Sequence, residues 1–393
     1  MIIAVTTMQI ITWSISIKNI FKDNWKSFVH EFSSLIRPTC YHHVNAILSC
    51  KDTSSWFASY KCDSCSTIKR ISFTCKSRFC NSCWKPQSDL RMQRLLDRRP
   101  PQLQYYHLAF TIPEELRAFF KRHRITLQIL PQIAAQSIFY FFKTKHKSTP
   151  WILSVIHTFG AQLNRNPHVH LIITSWWIND QWRFIPISFI PYKLILPSRK
   201  KHLLKTLKER VYKNLENSDS EIKLLNSLFS QKNELDQEKS RYIYFSKKAQ
   251  SFQIVLSYIW RYLKRPTISQ SRILHYDWSN VTFQYKDKYD WHNKNVTCSV
   301  LDFIWLLIQH IPNKYFHMVY YSGIFANRCK AKYLKIINQF YTNNQKMPHI
   351  PSSFSERVYF FTWKNPFICT CWWSFCLHSI TFPNWSVKYF DSS

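Results

Sequence analysis

Apolar residues Ile17, Ile20, Phe21, Trp25 and Phe28 recur at three- and four-residue steps, which predicts helix over 18–48. Tyr105 to Ile112 has the apolar, β-favouring content of a strand. Pro113-Glu114-Glu115 then opens a long helical region to about Lys147, with proline in its first turn. Trp151 to His157 and His168 to Ser175 are two strand-like runs, and Thr158 to Asn166 plus Pro167 are expected to form the hairpin loop between them. Residues 198–240 are highly charged and helix-like, which suggests a solvated insertion. A further helix is expected over Gln250 to Arg265, ended by Pro266. Val281 to Tyr285 follows as a strand, and Phe303 to His310 as a helix running into Ile311-Pro312. Helices and strands mixed in this order predict an α+β protein with a central antiparallel sheet and flanking helices.

Charge changes the picture more than hydropathy does. Lys plus Arg outnumber Asp plus Glu by 54 to 22, a net +32. On a chain that is 46% hydrophobic, and so able to build cores, such an excess points to a polyanion as partner, because each phosphate contact releases counterions. Met1 to Ile17 is fairly apolar, but it lacks a basic start and carries Thr, Gln and Ser, so no signal peptide or membrane span is expected. The expected setting is cytoplasmic, without a membrane partner.

Cysteine placement adds a metal. Of the twelve cysteines, six lie between Cys50 and Cys83 and three between Cys369 and Cys376. Clustered CxxC pairs in a long basic chain read as metal ligands before disulfides. Cys62-x2-Cys65 and Cys80-x2-Cys83 suit one tetrahedral Zn²⁺. Cys50 and Cys75 complete or exchange ligands, or support a second ion with His42 or His43. Cys369, Cys371 and Cys376 are too irregularly spaced to assign.

His168-Val169-His170 sets two imidazoles on one face of a strand, because side chains alternate there with period two. A hairpin brings His157 from the preceding strand beside them as a third metal ligand. Tyr258 and Tyr262, four apart on the expected helix, share a face. A metal that polarises a phosphoryl oxygen, near a tyrosine hydroxyl, describes attack on a phosphodiester. Lys264, Arg265 and Arg272 are candidates to hold phosphates nearby.

These residues resemble, in order, the two-tyrosine, rolling-circle transposases of the insertion sequence ninety-one type, in the HUH endonuclease class. The resemblance runs through Cys62-Asp-Ser-Cys65, Ser72-Phe-Thr-Cys75-Lys-Ser-Arg-Phe-Cys80-Asn-Ser-Cys83 and His107-Leu-Ala-Phe-Thr-Ile-Pro113. It continues through Ile156-His-Thr-Phe-Gly160, Asn166-Pro-His-Val-His-Leu171, Arg261-Tyr-Leu-Lys-Arg-Pro266 and Gln309-His-Ile-Pro312. It implies His168 and His170 as ligands of Mg²⁺ or Mn²⁺, and Tyr258 and Tyr262 as nucleophiles forming a 5′-phosphotyrosine with single-stranded DNA. DNA, at element ends and target, is the implied partner. The expected organisation is a helical segment at 1–48, a zinc-binding DNA-docking module at 49–98, an HUH domain at 99–290 and an accessory region at 291–393. Arg98-Arg99-Pro100-Pro101 serves as linker. Two readings compete with the enzyme: a non-catalytic zinc-dependent DNA-binding descendant, and a plasmid-type replication initiator or relaxase.

One departure stands out. The chain has two glycines, where about 7% usage would give roughly 28, and sixteen tryptophans. Tryptophan stands where the family tends to carry glycine at Trp56, Trp84, Trp151, Trp176-Trp177, Trp260, Trp278 and Trp305. Some bacterial lineages read UGA as glycine, and the expectation is that UGA codons lie behind many of these tryptophans.

Overall fold

A computed structural model describes residues 15–52, 56–83 without 78, 104–179 without 113–114, 266–323 without 288–289 and 365–390 without 383–384, with short pieces at 181, 184–186, 202–203, 205–207, 209, 223, 226–227, 243–245, 250–251, 254–255, 326, 356 and 359. Tyr258, Tyr262, Lys264, Arg265, Trp84, Trp260, the Arg98–Pro101 linker and most of the charged stretch 198–240 lie outside the described residues.

The predicted N-terminal helix is two helices, α1 (Ile17–Phe32) and α2 (Pro38–Leu48). Ser16 caps α1 by accepting from the Asn19 N–H, and Pro38 starts α2 where a missing N–H costs nothing. The module continues with β1 (Phe57–Cys62) and β2 (Ile68–Ser72), a hairpin whose turn carries Cys65. After β3 (Gln104–Thr111), the long helical region is broken at His123 into α3 (Glu115–Arg122) and α4 (Ile129–His146).

Strands β4 (Ser148–Thr149), β5 (Trp151–Phe159), β6 (Arg165–Thr174), β7 (Trp176–Asn179) and β8 (Phe184–Pro186) follow. The β5–β6 loop is therefore shorter than expected, because pairing extends beyond His157 through a bulge to Phe159–Arg165. Next are β9 (Ile243–Phe245) and β10 (Gln250–Ser251). Gln250 and Ser251 are thus strand rather than helix start, and helix is described only at 254–255. Then come β11 (Ile273–Tyr276), β12 (Asn280–Lys286), β13 (Asn293–Ser299), α5 (Val300–Ile308), β14 (Val319–Gly323), β15 (Phe375–Thr381) and β16 (Val387–Tyr389).

The central sheet runs β10-β3-β6-β5-β14, with β9 also on β3, and every pairing is antiparallel. One face packs on α3 and α4 through Leu108, Phe110, Phe119, Phe142, Ile152 and Ile173. Leu203 and Leu207 join that core, so this part of the expected solvated stretch is buried, its two leucines lying one helical turn apart against apolar neighbours. Gly323 ends β14 at φ 73°, and a Cβ there would lie 1.9 Å from the Pro150 carbonyl oxygen. It is one place where glycine was kept and no other residue fits.

A second core joins distant parts of the chain. Ile20, Phe28 and Val44 pack with Phe283, Phe303 and Ile308, so α1 and α2 close over α5 and the β11–β12–β13 sheet. A third sheet, β16-β15-β1-β2, pairs the chain's late strands with the module's hairpin.

Among the described residues, four tryptophans hold left-handed backbone: Trp278, Trp291, Trp372 and Trp385, at φ 61–70°. Each lies in a tight turn with its ring exposed. Trp151 and Trp177 are different, fully buried in strands, while Trp305 packs on Phe28 and Phe32.

Candidate functional site

The hairpin does what the alternation of His168 and His170 requires. Register sets His157 opposite His168 and Val155 opposite His170, so three imidazoles emerge from one face of β5 and β6. Ring centroids are 5.2 Å apart for His157–His168, 4.3 Å for His157–His170 and 4.9 Å for His168–His170. One nitrogen from each ring lies within 4.8 Å of the others, close enough to grip one cation.

The rings are also oriented. His168 Nδ1 is 2.7 Å from the Asn166 carbonyl oxygen, which can only accept, so Nδ1 carries the proton and Nε2 keeps its lone pair. His170 Nδ1 is 2.8 Å from His107 Nε2. His107 sits on β3, paired to β6, with its ring stacked on His170 at 5.0 Å. Burial, reinforced by neighbouring histidines, holds His157 and His170 well below the ordinary histidine range. Burial also lowers His168, and lowers His107 to about 4. Neutral imidazoles are the form that binds metal.

A brace stands behind the hairpin. His310 Nε2 donates to the Leu163 carbonyl at 2.8 Å, and the Thr158 hydroxyl lies 3.2 Å from His310 Nδ1. Gln309 donates to the same Leu163 carbonyl. Arg37 and Arg124 cap the carbonyls at the end of α5, Ile308, Gln309 and Ile311, where cations complement the helix dipole. Arg272, a candidate for holding phosphate, donates to the carbonyls of Gln284 and Ala161 and so braces the β5–β6 loop.

The cysteines regroup. Cys80 and Cys83 meet Cys50 and Cys75, with Sγ–Sγ distances of 3.1 Å for Cys50–Cys83, 3.6 Å for Cys50–Cys80 and 3.7 Å for Cys75–Cys83. Cys62 and Cys65 turn away from this quartet and meet Cys369 and Cys371. The two CxxC pairs therefore do not share one ion: β1 carries Cys62 to the far end of the hairpin. His43 hydrogen-bonds Ser77 rather than completing a metal site with cysteines.

Sequence reasoning missed His107 as a site residue. The signal was available, since His107 lies on a run read as strand and within the motif His107-Leu-Ala-Phe-Thr.

Residues 152–332 match the family model described as a putative transposase, and residues 20–112 match that of a transposase zinc-binding domain. The chain is 30% identical over 334 residues to the transposase for insertion sequence element IS801 of Pseudomonas savastanoi pv. phaseolicola, covering 81% of this chain and 78% of that protein. This chain belongs to the insertion sequence ninety-one family of transposases. A putative transposase, y4qJ, of Sinorhizobium fredii (strain NBRC 101917 / NGR234) is 28% identical over 293 residues, 70% of this chain and 71% of that protein. No solved structure matches.

The two matched stretches of this transposase meet at the site. The first contains His107 and the quartet of Cys50, Cys75, Cys80 and Cys83; the second contains His157, His168, His170 and the Gln309–Pro312 brace. Its zinc-binding domain and thiol clusters make structural zinc part of the protein. Among the described residues, no helix is long and apolar enough to cross a membrane.

Proposed function

We propose that this transposase cuts and joins single-stranded DNA at the ends of a mobile element, using Tyr258 and Tyr262 as nucleophiles beside a divalent cation held by His157, His168 and His170. The convergence of three neutral imidazoles, two of them oriented through Nδ1, is the observation that carries the reading. The net charge of +32 suits the polyanionic substrate.

The donor set is all nitrogen, which fits Mn²⁺ or another transition ion better than Mg²⁺, an ion that prefers oxygen. When bound, the cation supplies Lewis-acid polarisation of a phosphoryl oxygen. The chain's own residues do the rest. A tyrosine oxygen attacks phosphorus, forming a 5′-phosphotyrosine; the P–O3′ bond breaks and the departing oxygen takes up a proton as a free 3′-hydroxyl. Tyr258 and Tyr262 come to this role from the family resemblance. The nearest described elements that precede them are β10, paired to Gln104 and Tyr105 at the start of β3, and the buried Val255.

The test is a labelled single-stranded element end incubated with the full chain and Mn²⁺. A covalent protein–DNA adduct is expected, stable to denaturant and absent in the double variant Tyr258→Phe/Tyr262→Phe. Tight DNA binding without any adduct would instead identify a non-catalytic zinc-dependent descendant.

A further inference from the structure

The zinc-binding match ends at residue 112, yet half of one thiol cluster lies near residue 370. Cys62 Sγ is 3.4 Å from Cys371 Sγ; Cys65 Sγ is 3.5 Å from Cys371 Sγ and 3.6 Å from Cys369 Sγ. A tetrahedron of thiolates around zinc, at about 2.3 Å per bond, sets its sulfurs about 3.8 Å apart. A disulfide needs about 2.05 Å. The observed spacings belong to ligands of one ion, not to cross-links.

Backbone geometry builds both halves. β1 ends at Cys62, and Ser66 N–H donates back to the Cys62 carbonyl in a tight turn that presents Cys65. On the other side, Trp372 N–H donates to the Cys369 carbonyl, and Cys369 N–H donates to the Trp373 carbonyl. The antiparallel register Cys62↔Phe375 sets the two turns at the same end of the β1–β15 pair. Cys376, the third late cysteine, lies 3.0 Å from Asp63 and outside the quartet.

We propose that Cys62, Cys65, Cys369 and Cys371 bind a second structural Zn²⁺ that fastens the late ribbon, residues 365–390, onto the N-terminal module. It is distinct from the ion suited to Cys50, Cys75, Cys80 and Cys83, and it does not depend on the tyrosine chemistry.

In a His168→Ala/His170→Ala background, which removes the imidazole site as a third place for zinc, the full chain purified without chelator should carry two zinc ions by elemental mass spectrometry. Adding Cys369→Ser/Cys371→Ser should leave one, and adding Cys376→Ser should keep two. One ion in the background protein, or two with Cys369→Ser/Cys371→Ser, overturns the proposal. Should the protein with Cys369→Ser/Cys371→Ser lose all its metal, thiol alkylation of the unaltered holoprotein decides. Cys369 and Cys371 are expected to resist N-ethylmaleimide until a chelator is added. Alkylation of Cys369 and Cys371 in the holoprotein as fast as after chelation overturns it.

Discussion

His107 Nε2 meets His170 Nδ1 at 2.8 Å across neighbouring strands, so a residue from the first matched region orients a ring in the second. A cation on His170 Nε2 leaves the proton on Nδ1, which then donates to His107. Loss of such a supporting partner typically weakens metal affinity about 10–100-fold. His107→Ala is therefore expected to raise the Mn²⁺ needed for half-maximal adduct formation by that factor, with activity restored at saturating metal. An unchanged metal requirement would remove His107 from this role.

Metal identity follows from the donors. After dialysis into metal-free buffer without chelator, which leaves the thiolate-bound zinc in place, Mn²⁺ should restore adduct formation at lower concentration than Mg²⁺, because three imidazoles favour the softer ion. Equal restoration by both ions would argue that oxygen ligands, from protein or DNA, dominate the site.

Stability should fall in acid, partly through His310. Burial pushes His310 down to about 3, while in the unfolded chain it titrates near its usual value of 6.5. Below pH 6.5 the unfolded state takes up a proton that the folded state refuses. Stability is therefore complete above that pH and is lost on the way down to about pH 3, by up to about 1.4 kcal/mol per pH unit for this one group. His310→Gln can still donate to Leu163 but does not titrate. Urea unfolding at pH 5 and pH 7 should show a pH dependence weaker by about one proton, and an identical slope would rule His310 out as a contributor.

The left-handed tryptophans make a prediction of opposite sign from the buried ones. Asp277-Trp278 and Asp290-Trp291 turn the β11–β12 and β12–β13 hairpins, where Asp-Gly is the favoured pair. The Trp278 ring is 70% exposed, so removing it forfeits little packing. Trp278→Gly or Trp291→Gly should stabilise the fold by about 1 kcal/mol, from relief of left-handed strain. Trp151→Gly should cost about 3–5 kcal/mol in this chain, since that ring is buried against Tyr105. Thermal unfolding of the three variants checks the signs. The gene's codons at 278, 291, 372 and 385 check the expectation from composition: UGG at all four removes it.

The meeting of the three imidazoles was legible because alternation is local: His168 and His170 need only a strand, and His157 only a hairpin. The fold's α+β character and most elements followed from the same short-range periodicity. The cysteine partnership was not legible. Cys62 and Cys65 look matched to Cys80 and Cys83 by proximity in the chain, whereas pairing of β1 with β15 hands them partners some three hundred residues away. Nothing in local spacing encodes that choice. The loop estimate failed similarly, since the bulge after His157 depends on cross-strand pairing rather than on turn residues.

The order β16-β15-β1-β2 has a consequence for decayed copies of the element. A gene copy interrupted before codon 365 still encodes β1 and β2, but β1 loses its neighbour and presents an open row of amides and carbonyls. Such a product would tend to self-associate rather than persist as a harmless DNA-binding fragment, so 3′ truncation should silence the element's protein more thoroughly than the few lost residues suggest.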